Sequence, residues 1–135
     1  MQTALVIALV GGVIVMAVFH YGKHRKINAL LHGRTPLTDE DFASLFPSIM
    51  GGKVAISVRR HLKPWVAFDV RLIRPQDKLC GDLLLDALDG MDPEEFLTSI
   101  EKEWNVKLPD EEAQELLSIA ELVDAVTRRV NENAI

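Results

Sequence analysis

Residues 77–113 read DKLCGDLLLDALDGMDPEEFLTSIEKEWNVKLPDEEA, and the second half of this stretch has the clearest local signals in the chain. Asp92 is placed to N-cap a helix, Pro93 suits the first helical position, and Glu95 closes a capping box. Phe96, Leu97, Ile100 and Trp104 then fall at helical spacing on one face, while Glu94, Glu101, Lys102 and Glu103 take the other. Asn105, followed by Val106 and Pro109, marks the end. The expectation is an amphipathic helix with an acidic face turned to water.

Downstream, Ser118 and Glu121 form a second capping box, and Ile119, Leu122, Val123, Val126 and Val130 make the apolar stripe of a last helix. Arg128 and Arg129 suit the negative end of that helix.

These segments resemble the acyl carrier protein family, whose pattern is a DL-containing loop, a D-S-L-D signature, an acidic helix ending in EEEF, and a following I-P-D-E-E-A. Glu101-Lys102-Glu103-Trp104 resembles EEEF, and Leu108-Pro109-Asp110-Glu111-Glu112-Ala113 resembles the opening of the short third helix. Arg74-Pro75-Gln76-Asp77-Lys78-Leu79 with Asp82-Leu83 resembles the loop before the signature, and Ser118 to Val123 the last helix. The resemblance implies an all-α, four-helix bundle over about residues 42–131. It also implies a surface, supplied here by Asp89, Asp92, Glu94, Glu95, Glu101 and Glu103, that docks the basic surface of a protein partner.

The family attaches phosphopantetheine to its signature serine, and this chain departs from the pattern there. Counted back from Trp104, Asp89-Gly90-Met91-Asp92 lies on the signature and Gly90 replaces the serine; counted forward from Asp82, Asp86-Ala87-Leu88-Asp89 does, and Ala87 replaces it. The first register keeps the acidic helix in place. Neither residue has the side-chain oxygen that a phosphodiester needs, so no cofactor is expected. Ser99, the nearest serine, lies beyond the signature in mid-helix, and a carrier modified there is the alternative.

Residues Ser48 to Leu62 admit two readings. The family pattern makes them a first helix with Ile49, Val54, Val58 and Leu62 inward, weakened by Gly51 and Gly52. Val54, Ile56 and Val58, with Val66, Phe68, Val70 and Leu72, also alternate as strands do, so a β-hairpin over Lys53 to Ile73 stays open. Arg59, Arg60, His61, Lys63, Arg71 and Arg74 form a basic cluster here. It reads as a solvated face that pairs with the acidic helices; few aromatics interleave with it, so nucleic acid is not an expected partner.

At the other end, Ala4 to Phe19 carry no charge, and these 16 residues span about 24 Å as a helix, close to a bilayer core once Thr3, His20 and Tyr21 flank them. The expectation is a single-pass transmembrane anchor over residues 1–22. A cleaved signal peptide is the rival, but no Lys or Arg precedes the apolar run. Lys23, Arg25, Lys26 and Arg34 follow it, which places the C-terminal side in the cytoplasm, at the cell inner membrane. These cations also suit anionic headgroups. Ala4, Ala8 and Gly12 recur every four residues and allow a homodimer through the span. His20 and His24 are spaced as metal ligands but lack a carboxylate or cysteine beside them, and no metal site is expected.

Residues 23–47 read as a basic juxtamembrane stalk holding one short helix capped by Thr38, and residues 48–135 as the carrier-like domain. Charge divides along the chain, with a net of +6 up to Leu79 and −11 from Cys80 onward. The lone Cys80 excludes an internal disulfide. No Ser/His/Asp or Cys/His constellation and no phosphate-cradling glycine loop is present, so an enzyme is not expected. Three readings remain: a membrane-tethered, non-catalytic interaction module, a carrier modified at another residue, or a structural subunit of a membrane assembly.

Overall fold

The computed structural model of the chain describes residues 14, 29–66, 68–79, 93–115 and 118–134. The anchor expected over residues 1–22 lies outside these except for Ile14, as do His20, His24 and Cys80. Among the described residues no helix is long and apolar enough to cross a membrane. The chain divides into two compact units, Met1–His32 and Gly33–Ile135.

The second unit is helical, and its described residues form no strand: α1 (Asp39–Ala43), α2 (Ile49–Leu62), α3 (Pro93–Trp104), α4 (Asp110–Glu115) and α5 (Ile119–Asn133). Each long helix is bounded where its sequence has a cap. Ser48 Oγ accepts from the Gly51 amide at 2.9 Å at the start of α2, and Ser118 Oγ accepts from the Glu121 amide at 3.2 Å at the start of α5. Asn105 takes φ +52°, and the Val106 amide donates back to the Glu101 carbonyl at 3.0 Å, closing α3 with a Schellman turn.

α2 is the central element and packs against α1, α3 and α5. Val54, Val58 and Leu62 are fully buried with Phe96, Ile100, Ile119, Leu122 and Val126, so one apolar core joins the three longest helices. The hairpin does not form. Val54, Val58 and Leu62 bury a continuous stripe only in a helix, and two 3-10 turns follow, Lys63–Trp65 and Val70–Leu72. Ile49, expected to point inward, is 84 % exposed because it lies about half a turn around the helix from Val58, on the outer face, while Gly51 and Gly52 of the same turn are buried.

The compact unit begins earlier than the boundary at residue 48 read from the sequence. Phe42 of α1 is fully buried, meets Phe46 edge to face at 5.3 Å, and lies 4.7 Å beneath the Arg59 guanidinium. Residues 33–47 are therefore domain, held by the aromatic pair of Phe42 on α1 and Phe46 just beyond its end. Gly52 permits this contact: a Cβ at that position would lie 3.0 Å from both the Cβ and the carbonyl oxygen of Ala43.

Arg34, grouped by sequence with the juxtamembrane cations, is committed to the domain. Its guanidinium forks onto Asp77 at 2.7 and 2.8 Å and donates to the Leu72 carbonyl at 3.0 Å. Asp77 is 1 % exposed, and its carboxylate also accepts from the Arg74 amide at 2.8 Å. Its backbone carbonyl accepts from Ile119, Pro75 accepts from Ala120, and Lys78 bridges Ser118, so the same loop fixes the start of α5.

Two outcomes follow. Asp77→Ala leaves a guanidinium without its partner and lowers unfolding stability in urea by about 3–5 kcal/mol; a loss below about 1 kcal/mol contradicts the burial. Gly52→Ala lowers stability although helix propensity favours alanine by about 1 kcal/mol, because the Ala43 backbone cannot recede.

Candidate functional site

α3 presents the acidic surface implied by the resemblance, and the structure divides that surface in two. Phe96 and Ile100 are buried and Leu97 and Trp104 are half-buried, so the amphipathic stripe lies on the expected side. At the N-terminal end Glu94 and Glu95 are exposed. Asp89 and Asp92 lie outside the described residues, as do Gly90 and Ala87. Ser99, the alternative attachment residue, donates its hydroxyl to the Glu95 carbonyl at 2.9 Å, a bond made within the helix itself.

At the C-terminal end the carboxylates are bound within the fold. Glu101 accepts from the Leu108 amide at 2.8 Å, with Lys107 Nζ at 3.7 Å, and is 12 % exposed. Glu103 is the centre of a clasp between α2 and α3. Ser57 and Arg60 donate to its two oxygens, His61 Nε2 lies 3.0 Å away, and Trp104 Nε1 donates to Ser57 Oγ at 3.0 Å. Burial alone raises the pKa of Glu103, but the hydrogen bonds from Ser57 and His61 and the charge of Arg60 outweigh it. The carboxyl group is held below its ordinary value.

The pairing of basic and acidic helices read from the sequence thus has a specific form. Arg60 and His61 reach Glu103, while Arg59 turns the other way, to Asp39 and the Leu37 carbonyl. Arg71 pairs with Asp69, and Arg74 donates to the Thr35 carbonyl at 2.6 Å. Arg129, placed by sequence at the C-terminal dipole, instead binds Glu112 of α4 at 2.6 Å, with Arg128 at 3.7 Å from the same carboxylate. Ser57 has no sequence signal beyond its place on α2; its role depends on a partner 46 residues away. Among the described residues no group of His, Cys, Asp and Glu is placed to hold a metal ion.

No family model matches the chain. The acyl carrier protein of Campylobacter curvus is 30% identical over 71 residues, which cover 53% of this chain and 88% of that protein. The acyl carrier protein of Thermosynechococcus vestitus is 29% identical over 65 residues, 48% of this chain and 76% of its own length. A putative mitochondrial acyl carrier protein of Schizosaccharomyces pombe is 30% identical over 60 residues, covering 44% of this chain and 51% of that protein. The chain belongs to the acyl carrier protein family.

Because the pKa of Glu103 is depressed in the folded state, its contribution to stability is complete above the unfolded value near 4.5 and is lost as pH falls through the lower folded value. Glu103→Gln is therefore less stable than the native chain at pH 7, by about 1 kcal/mol for the weakened clasp. The gap closes on acidification below pH 4.5; a gap that stays constant with pH contradicts a charged clasp.

Proposed function

We propose that this protein is a membrane-tethered member of the acyl carrier protein family that works without a phosphopantetheine arm, as a non-catalytic interaction module. The observation that carries the reading is the pairing of a family-type acidic helix with a signature in which neither Gly90 nor Ala87 has a hydroxyl. A phosphodiester requires that oxygen, so the prosthetic group does not fit either position.

The docking surface is the N-terminal half of the acidic helix. Glu94 and Glu95 are exposed and, with Asp89 and Asp92, concentrate negative charge ahead of residue 96. Charge of one sign on a small surface steers a basic partner and sets its orientation, and salt screens the effect. Glu101 and Glu103 act differently. They hold the helix in place through Leu108, Ser57, Arg60 and His61, and so support the surface from behind.

The uncharged run from Ala4 to Phe19, followed by Lys23, Arg25 and Lys26, supports an anchor in the cell inner membrane with the helical domain on the cytoplasmic side. A tether of this kind raises the domain's effective concentration near membrane-bound partners.

Two measurements test the reading. The full chain is expected to remain in the membrane pellet after alkaline carbonate extraction; release into the supernatant rejects the anchor. A photoreactive residue at Glu94 or Glu95 is expected to give a salt-sensitive cross-link to one defined basic protein, with none from position 103. Cross-links from 103 alone, or none from 94 and 95, reject the docking surface.

A further inference from the structure

Beside the Glu103 clasp, with which it shares Arg60, a cleft of about 350 Å³ is lined by Asp39, Ile56, Arg59, Arg60, Lys63, Val70 and Arg71. Four cations thus converge on one hollow of a chain whose net charge is −5. They differ in how they are held. Arg59 is almost fully buried and fixed: it lies over the Phe42 ring, donates to the Leu37 carbonyl at 3.0 Å and pairs with Asp39. Arg60 and Arg71 are exposed by more than half and tied at one edge only. Arg60 gives Nη2 to Glu103, and Arg71 gives Nε and Nη2 to Asp69. Their remaining guanidinium N–H groups are available to an incoming acceptor. Lys63 is exposed beside them.

We propose that this cleft binds a phosphate-bearing anion. The opposing carboxylates are Asp39 within the cleft and Asp69 and Glu103 at its rim, each already engaged by one of the arginines. A dianionic phosphate offers several acceptor oxygens to guanidinium forks that carboxylate partners leave half used, and one of the forks is immobilised before binding. The apolar floor of Ile56 and Val70 lowers water competition for those bonds. The same chemistry is presented by a soluble phosphorylated compound and by an anionic lipid headgroup. The inference does not depend on the docking surface of α3.

The test uses the full chain in neutral detergent micelles, titrated separately with inorganic pyrophosphate and with dihexanoyl phosphatidic acid, with dihexanoyl phosphatidylcholine as the zwitterionic control of zero net charge. Saturable binding is expected, read from amide shifts in residues 56–63 and 70–71 and weakening as salt is added. Loss of two charge-assisted contacts in the double variant Lys63→Gln, Arg71→Gln is expected to weaken it about tenfold or more. Lys53→Gln removes a charge from α2 outside the cleft and leaves it unchanged. Tighter binding of pyrophosphate assigns the site to soluble phosphates, and tighter binding of phosphatidic acid to a lipid headgroup. No saturable binding of either probe, equal binding by the double variant, or equal binding of phosphatidylcholine overturns the proposal.

Discussion

Asp77 carries a carboxylate withdrawn from water, and the surrounding chain is arranged to neutralise it. An isolated buried charge costs several kcal/mol, so the Arg34 fork and the Arg74 amide are conditions for this loop to exist in its folded form. Once the loop is made, its carbonyls receive the first amides of α5, and α5 then completes the core against α2. The N-terminal segment, the loop and the last helix are thereby coupled through one side chain. Arg34 and the start of α5 thus meet at the same loop although they are far apart in the chain.

A second constraint concerns where the acidic helix places its charge. Carboxylates at Glu101 and Glu103 are paired within their own fold, whereas Glu94 and Glu95 lie exposed at the other end of the helix. The division follows from the position of α2. Its last two turns carry Arg60 and His61 within reach of the C-terminal end of α3.

The features legible in the sequence were the local ones. Thr38 and Ser118 cap the helices whose starts they mark, Asn105 ends α3, and the apolar stripes at Phe96 and Ile100 and at Leu122 and Val126 are buried as their spacing required. Features that depend on distant partners were not legible. Arg34 and Asp77 are 43 residues apart, and nothing in the flanks of Arg34 separates it from the juxtamembrane cations. Gly52 read as a weak point of α2 because helix propensity takes no account of the Ala43 backbone against it. Ile49 groups with the core by its apolar character, but at about 100° per residue it falls on the face opposite Val58 and is left exposed. The split of the acidic face likewise needed the third dimension, since Glu94 and Glu103 have the same chemistry and differ only in what stands opposite.

The measurement that bears most directly on an armless carrier scaffold is the intact mass of the full chain after co-expression with a broad-specificity phosphopantetheinyl transferase, beside a Gly90→Ser variant. The account predicts that the native chain keeps its unmodified mass while the variant gains one phosphopantetheine, because only the attachment oxygen is missing. A native chain that carries the group contradicts it, whichever residue is modified.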